Sequence, residues 1–472
     1  MANSGPLFVR HLLKKIDPTH SPTTLLSAWN VGSRASQVEE TSQPVTSIMN
    51  LVSQAQMTTL AGVYFEKIDP CYGFIDRESI NQQIDSRWLL PPYTSRPSDA
   101  VLCGIAALGS YFSKAHAVPV ESQLAQLASS MLHSTSLSKA PDHETVTAWI
   151  CHVIYMRLTA MPAAAWIASC TAMHILEAAG MHRDHHKDDS VLTQPNTNQI
   201  SKMPWRAFGV AQHLNTWISY DLGLSRVSLR APPVLPTSPD CENYTDRLLQ
   251  LLPASLGLDQ VANEDDASLR STLISIAAQS DTEPPLIMAQ CNLILCILRQ
   301  LCSRNSLRSN GDHVLNAALG SLRKALAAAR QMIENDTPWH HLANVPFQTL
   351  CMLLAIDTPT SLAMVEDAVQ TFQQVTKAYN TPTLNEACNT AYLILYLHRK
   401  RRLDDVQIID KVLSTLINTE DTMPSLANGS VDWNTTTEME ISWFSDLLGE
   451  FPILQPFTTS NMLENNSLGH FG

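Results

Sequence analysis

Residues 205–226 read WRAFGVAQHLNTWISYDLGLSR. Trp205, Phe208, Ala211, Leu214, Trp217, Ile218 and Leu222 recur at three- and four-residue steps, the spacing that lines apolar side chains along one face of an α-helix. Gly223 follows directly, where glycine supplies the left-handed conformation that ends helices. The pattern predicts an amphipathic helix seated in a core and stopped at Gly223. The same periodicity returns over residues 99–115, 122–132, 145–158, 163–179, 290–301, 314–334, 345–355, 361–378 and 384–402. Alternating runs of strand type are nearly absent, and Gly and Pro fall mainly between the periodic stretches. The expected class is all-α, and no repeat of fixed period points to a solenoid.

Two further stretches belong with the first. Residues 64–77 read YFEKIDPCYGFIDR and residues 172–184 read AMHILEAAGMHRD. A helix marked by Ile48, Leu51, Val52, Leu60, Val63, Tyr64 and Phe65 must end before Asp69-Pro70, because proline lacks the amide that would continue it. Phe74 and Ile75 then anchor a loop, and Asp76 can cap the next helix. In the second stretch Gly180 is placed to close a helix and Asp184 to accept from nearby orphan amides.

In order and spacing the three stretches resemble the middle homology region of fungal zinc-cluster transcription factors, whose usual phrases are YFxxxxPxxxFxDR, AxxLGLHRD and RRxxWWxxxxxDRxxSxxLGRP. The resemblance runs from about residue 44 to 405. It implies one large multi-helix regulatory domain in a nuclear, non-enzymatic regulator of transcription. Such proteins control catabolic, drug-response or, for members without a zinc cluster, secondary-metabolite biosynthetic genes. Gly209 and Asn215 stand where the family has its second aromatic and its aspartate, so no ion pair transfers there, although the apolar stripe survives. Residues 346–359, PFQTLCMLLAIDTP, resemble a phrase of the family's second half and are expected as buried helix.

That family reads DNA through six cysteines spaced C-x2-C-x6-C twice, because two zinc ions share bridging thiolates on a compact loop pair. No CxxC occurs in this sequence; its ten cysteines are scattered through apolar stretches. Even the trio Cys291, Cys296 and Cys302 lacks zinc-knuckle spacing and reads as helix filling in a reducing compartment. The formal net charge of −13 and pI near 5.6 argue against an extended nucleic-acid surface, which needs clustered Lys and Arg. The resemblance therefore implies a DNA-binding transcription factor as partner, with no direct DNA binding by this chain. The N-terminal residues carry no unbroken apolar h-region, and no run approaches the roughly 20 apolar residues needed to span a bilayer.

No catalytic, cofactor or metal site is expected. His182, Asp184, His185, His186, Asp188 and Asp189 are the densest group of potential ligands, yet they open a polar loop and read better as a helix terminus. Asp188-Asp189 lacks the third carboxylate of an aspartate-rich diphosphate motif, and Walker A, GxSxG, HExxH and post-strand GxGxxG patterns are missing. His340 and His341 are adjacent and badly placed to share a metal; the turn TPWHH reads as a helix start with Thr337 as N-cap and Pro338 at the first helical position. A rival reading is a helical ligand-binding or enzymatic module of a biosynthetic pathway derived from such a regulator. An interior cavity with convergent polar and titratable groups would distinguish it. A third is a cytoplasmic interaction scaffold.

The organisation expected is a mostly flexible leader over residues 1–45 after a short helix at 7–15, a regulatory domain over 46–418, and an acidic, aromatic tail over 419–472. Polar stretches at 184–202 and 254–285 read as surface loops. Arg399, Lys400, Arg401 and Arg402 resemble a nuclear localisation tetrad, or else complement the dipole at the end of a helix. No Lys or Arg follows Lys411. In the tail, Trp443, Phe444, Leu447, Leu448 and Phe451 alternate with acids, the mixture of an activation segment that folds on a coactivator groove; a helix docked on the domain itself is the alternative.

Overall fold

A computed structural model describes residues 5–16, 31–32, 47–94, 96–113, 118–136, 140–182, 203–229, 244–258, 265–304 and 312–417 of the 472-residue chain. Among the described residues there are helices and no strands. In chain order they are α1 (Gly5–Ile16), a single 3₁₀ turn (Ile48–Asn50), α2 (Gln54–Lys67), α3 (Arg77–Trp88), α4 (Ser98–Tyr111), α5 (Val118–Ser136), α6 (His143–Thr159), α7 (Pro162–Ala178) and α8 (Met203–Leu222). Two short helices, α9 (Tyr244–Gln250) and α10 (Leu252–Gly257), lead into α11 (Asp266–Ala277), α12 (Pro284–Ser303), α13 (Asp312–Glu334) and α14 (His341–Ile356). The last three are α15 (Pro359–Leu362), α16 (Val365–Tyr379) and α17 (Pro382–Ile417).

Local chemistry sets the boundaries. Ser53 and Gln56 form a capping box at the start of α2, and Asp76 accepts from the Ser79 amide at 2.8 Å to open α3. Helices α7 and α8 both end in the same six-residue closure. Gly180 (φ 73°) and Gly223 (φ 68°) take the left-handed conformation, and the next amides, of Met181 and Leu224, reach back to the carbonyls of Leu176 and Ser219 at 3.2 and 2.9 Å. Asp336, Asp357 and Asn380 close α13, α14 and α16 with positive φ of 51°, 52° and 42°, a conformation these short polar side chains tolerate.

Packing divides the helices into two groups around one continuous core. In the first, α4 is buried along its whole length and touches α2, α3, α5 and α6. In the second, α12 and α14 are the buried helices, with α11, α13, α16 and α17 around them. Helices that are apolar on every side belong at the centre of such a body. α12 is the one helix among the described residues long and apolar enough to cross a membrane; 89% of its most apolar stretch is buried inside the fold, so its hydrophobicity is already spent on the core.

Several expectations are corrected. Residues 254–285 are not simply a loop: α11 occupies twelve of them, and its Leu269, Leu273 and Ile276 form a buried stripe toward α12 and α13 beneath an exposed face of Ala267, Ser268, Ser271 and Ser275. The short helix expected at 7–15 exists as α1, and its Phe8, Val9, Leu12 and Leu13 are core residues packed toward α8, α14 and α17. Thr337 does not cap α14; its hydroxyl donates to the Met332 carbonyl at 3.1 Å, sealing α13, and α14 begins at His341. The helix expected at 384–402 continues to Ile417, so the basic tetrad lies mid-helix and cannot complement a C-terminal dipole.

Candidate functional site

Where the two helix groups meet, polar side chains converge in the interior. Tyr72 comes from the loop after α2, Arg157 from α6, His213 and Asp221 from α8, Trp339 and His340 from the turn before α14, and His341 from its first position. Arg157 Nη2 lies 3.2 Å from Asp221 Oδ2, and the same guanidinium donates to the Tyr72 hydroxyl. The Tyr72 ring packs edge-on to Trp339, with centroids 5.4 Å apart, and tilted against His213 at 6.1 Å. The rings of His340 and His341 stack at 3.9 Å.

Burial governs the charge of every group here. It pushes the Tyr72 hydroxyl up to about 12 and raises the Asp221 carboxyl against the pull of Arg157. Burial, reinforced by Arg157, brings His213 down to about 3 and holds His340 and His341 well below the ordinary imidazole range. All three imidazoles are neutral. Arg157 Nη1, His213 Nδ1, Trp339 Nε1, His340 Nε2 and His341 Nδ1 are shut away from solvent without a hydrogen-bond partner.

A tight pocket leads outward from this cluster. Tyr72, Trp339 and His341 line it together with Cys71, Tyr244, Leu248, Pro285 and Leu286, and it has room for about one water molecule. Tyr244 donates to Glu283 Oε1 at 2.7 Å beside it. A larger recess of about 300 Å³ lies elsewhere, between α3, α4, α6 and the start of α8, lined by Phe74, Ile80 and Val101 with Asp76, Gln83 and Glu144.

The structure separates the candidate residues named from sequence. Arg399 and Lys400 are exposed on α17, whereas Arg402 pairs with Asp357 Oδ1 at 2.7 Å, beside His398 at 3.3 Å from the same oxygen. Burial alone would raise the Asp357 carboxyl, but bonds from His398 and Arg402 hold it below its ordinary value. Cys291, Cys296 and Cys302 fill α12 at 7% exposure or less. Burial pushes the Cys291 thiol up to about 12 and raises that of Cys296. Asn215, which replaces the expected aspartate, makes a neutral bridge: its amide donates to Ser169 Oγ on α7 at 3.0 Å and its carbonyl accepts from the Val227 amide at 2.8 Å. Asp184, His185, His186, Asp188 and Asp189, and the tail residues Trp443, Phe444, Leu447, Leu448 and Phe451, lie outside the described residues. Among the described residues no three His, Cys, Asp or Glu side chains are arranged to hold a metal.

The sequence singled out neither Arg157 nor the meeting of these groups. The available signal was partial: Tyr72 lies in the stretch 64–77, His213 and Asp221 in the stretch 205–226, and Trp339, His340 and His341 in the turn that opens α14. Only the packing of α6 against α8 brings Arg157 among them.

The profile described as "Fungal specific transcription factor domain" matches residues 61–306. The chain is 37% identical over 453 residues to Protein RDR1 of Gibberella zeae, covering 95% of this chain and 80% of that protein. It is also 37% identical over 409 residues to the transcription factor kojR of Aspergillus oryzae, covering 86% and 72%, and 29% identical over 424 residues to Protein RDR1 of Saccharomyces cerevisiae, covering 89% and 76%. The chain belongs to the fungal-specific transcription factor family. It is a transcription regulator and not an enzyme.

Proposed function

We propose that this regulator works in the nucleus on the genes of a biosynthetic, secondary-metabolite pathway, and that it reaches DNA through a DNA-binding partner. The observation that carries the partner reading is chemical: 472 residues contain no CxxC pair to hold a zinc cluster, and the net charge is −13. Exposed Arg399 and Lys400 supply a localisation signal, and the acidic, aromatic residues 438–451 supply the contact to a coactivator. Deleting the gene and comparing transcripts tests the reading. A regulator's loss lowers a set of pathway transcripts together, whereas loss of a single pathway step leaves transcripts in place. The purified chain should leave short DNA unshifted at physiological salt, and sub-micromolar binding that strengthens at low salt would falsify the partner requirement.

A further inference from the structure

We infer that the interior cluster at the junction of the two helix groups is a binding site for a small organic monoanion, with a carboxylate held by Trp339, His341 and Arg157 and a compact apolar body seated against Leu248, Pro285 and Leu286. The assignment rests on the geometry of the cluster and is independent of which genes the protein controls.

Five polar atoms in one patch of core have no partner, on residues only 2–8% exposed. Burying a polar group without a hydrogen bond is costly, and native proteins rarely leave several together unless something else satisfies them. Two of the five fix the polarity of what is missing. An indole N–H and a guanidinium N–H donate and cannot accept, so Trp339 and Arg157 both call for an acceptor. The unpartnered nitrogens of the neutral histidines can present a proton by choice of tautomer.

Charge points the same way. Arg157 acts on His213, His340 and His341 alike; Asp221 engages its Nη2 at 3.2 Å, and its Nη1 is left without a partner. A ligand carboxylate would meet the guanidinium at Nη1, opposite the bond to Asp221, through a hydrogen bond of the charge-assisted kind. The pocket supplies the route, because Tyr72, Trp339 and His341 belong to both the cluster and its wall. Its remaining walls are apolar apart from Tyr244 and the Cys71 thiol, which burial pushes up to about 12 and keeps neutral. Since the pocket has room for only about one water molecule, entry requires Tyr244 to leave Glu283 and swing outward.

The test uses the full chain, with phenylacetate as probe and phenylacetamide as its neutral counterpart, followed by calorimetric titration and by thermal unfolding. For a ligand of this size we expect saturable phenylacetate binding with a Kd between about 10 µM and 1 mM, at least tenfold tighter than the amide. Trp339→Phe, which keeps a ring and removes the N–H, should weaken phenylacetate at least tenfold. Tyr244→Phe, which breaks the bond to Glu283 at the mouth, should bind at least as tightly as the parent. Exposed Tyr93→Ala serves as the remote control and should change nothing. Absence of saturable binding by the parent chain overturns the assignment, as does equal affinity for the amide. If Trp339→Phe fails to fold, His341→Phe carries the same expectation, and undiminished binding by the folded variant overturns it.

Discussion

Arg87 Nε and Asp99 Oδ1 meet at 2.7 Å with only 1% of either side chain exposed, tying α3 to the first turn of α4. The other guanidinium nitrogens reach Ser47 Oγ at 3.1 Å and the carbonyls of Pro91 and Pro92 at 3.4 Å each, so the charge is enclosed by acceptors. A buried pair of this kind is poor evidence of net stabilisation, but stranding one member is costly. Asp99→Ala should destabilise the chain by about 3–5 kcal/mol, and Arg87→Met combined with Asp99→Leu should recover most of that. Urea unfolding midpoints give the comparison; an Asp99→Ala midpoint equal to the parent's would show the pair to be incidental.

Acid should unfold the protein through its buried histidines. His152 is brought down to about 4 and His213 to about 3, chiefly by burial, and His340 and His341 move the same way. Their folded values lie below the unfolded value of about 6.5, so the unfolded chain binds more protons as pH falls. Stability is therefore full above about pH 6.5 and declines below it. Asp69, raised by burial to about 6, acts in the opposite sense, since the folded state takes up its proton first between about pH 6 and 4. His213→Gln should accordingly flatten the decline in unfolding midpoint between about pH 6.5 and 4. An unchanged slope would mean that His213 is solvated.

Glycine substitutions should sort by geometry. Gly223→Val forces a β-branched residue into φ 68° and should cost about 1–3 kcal/mol. A Cβ on Gly109 would overlap the backbone carbonyl of Leu60, so Gly109→Ala should separate α4 from α2 and destabilise strongly. Gly62 and Gly320 sit within α2 and α13 with nothing in the way of a Cβ, and alanine at either should stabilise by about 0.5–1 kcal/mol. Thermal unfolding of the four variants gives their order, and a stabilising Gly109→Ala would contradict the helix contact.

The basic tetrad should divide into two roles. Arg399→Ala with Lys400→Ala removes exposed charge and should reduce nuclear accumulation of a fluorescent fusion without moving the unfolding midpoint. Arg402→Ala should act on stability instead, by no more than about 1 kcal/mol because Arg402 is 45% exposed. Unaltered distribution of the double variant would remove the tetrad from consideration as a localisation signal.

For the tail, affinity for a coactivator should reside in apolar anchors, with acids steering encounter. Residues 412–472 fused to an unrelated DNA-binding domain should drive a reporter. Joint change of Trp443, Phe444 and Leu447 to Ala should abolish the signal, and Glu438→Gln with Glu440→Gln should reduce it partly. A silent parent fusion, together with a lower melting temperature of the full chain carrying the triple change, would identify a docked helix instead.

Local rules made much of the molecule legible. The three- and four-residue spacing in 205–226 predicted α8, Gly223 and Gly180 marked their helix ends, and Asp76 its cap, because each depends on residues within a turn or two of one another. What failed also had local causes. Helix α11 escaped because its buried stripe is only Leu269, Leu273 and Ile276 and the acids Glu264, Asp265 and Asp266 crowd its start, and Thr337, expected to cap α14, gives its hydroxyl to the Met332 carbonyl at the end of α13 instead. The interior site is different in kind. Tyr72, Arg157, His213 and His341 are separated by up to 269 positions, and a lone Arg or His in an apolar helix carries no sign of what it will face. The sequence by itself determined most of the helices and the family resemblance. The meeting of those side chains in one buried, unsatisfied cluster was decided only when α6, α8 and α14 packed around a common core, since burial there is a property of the assembled helices and of no single one.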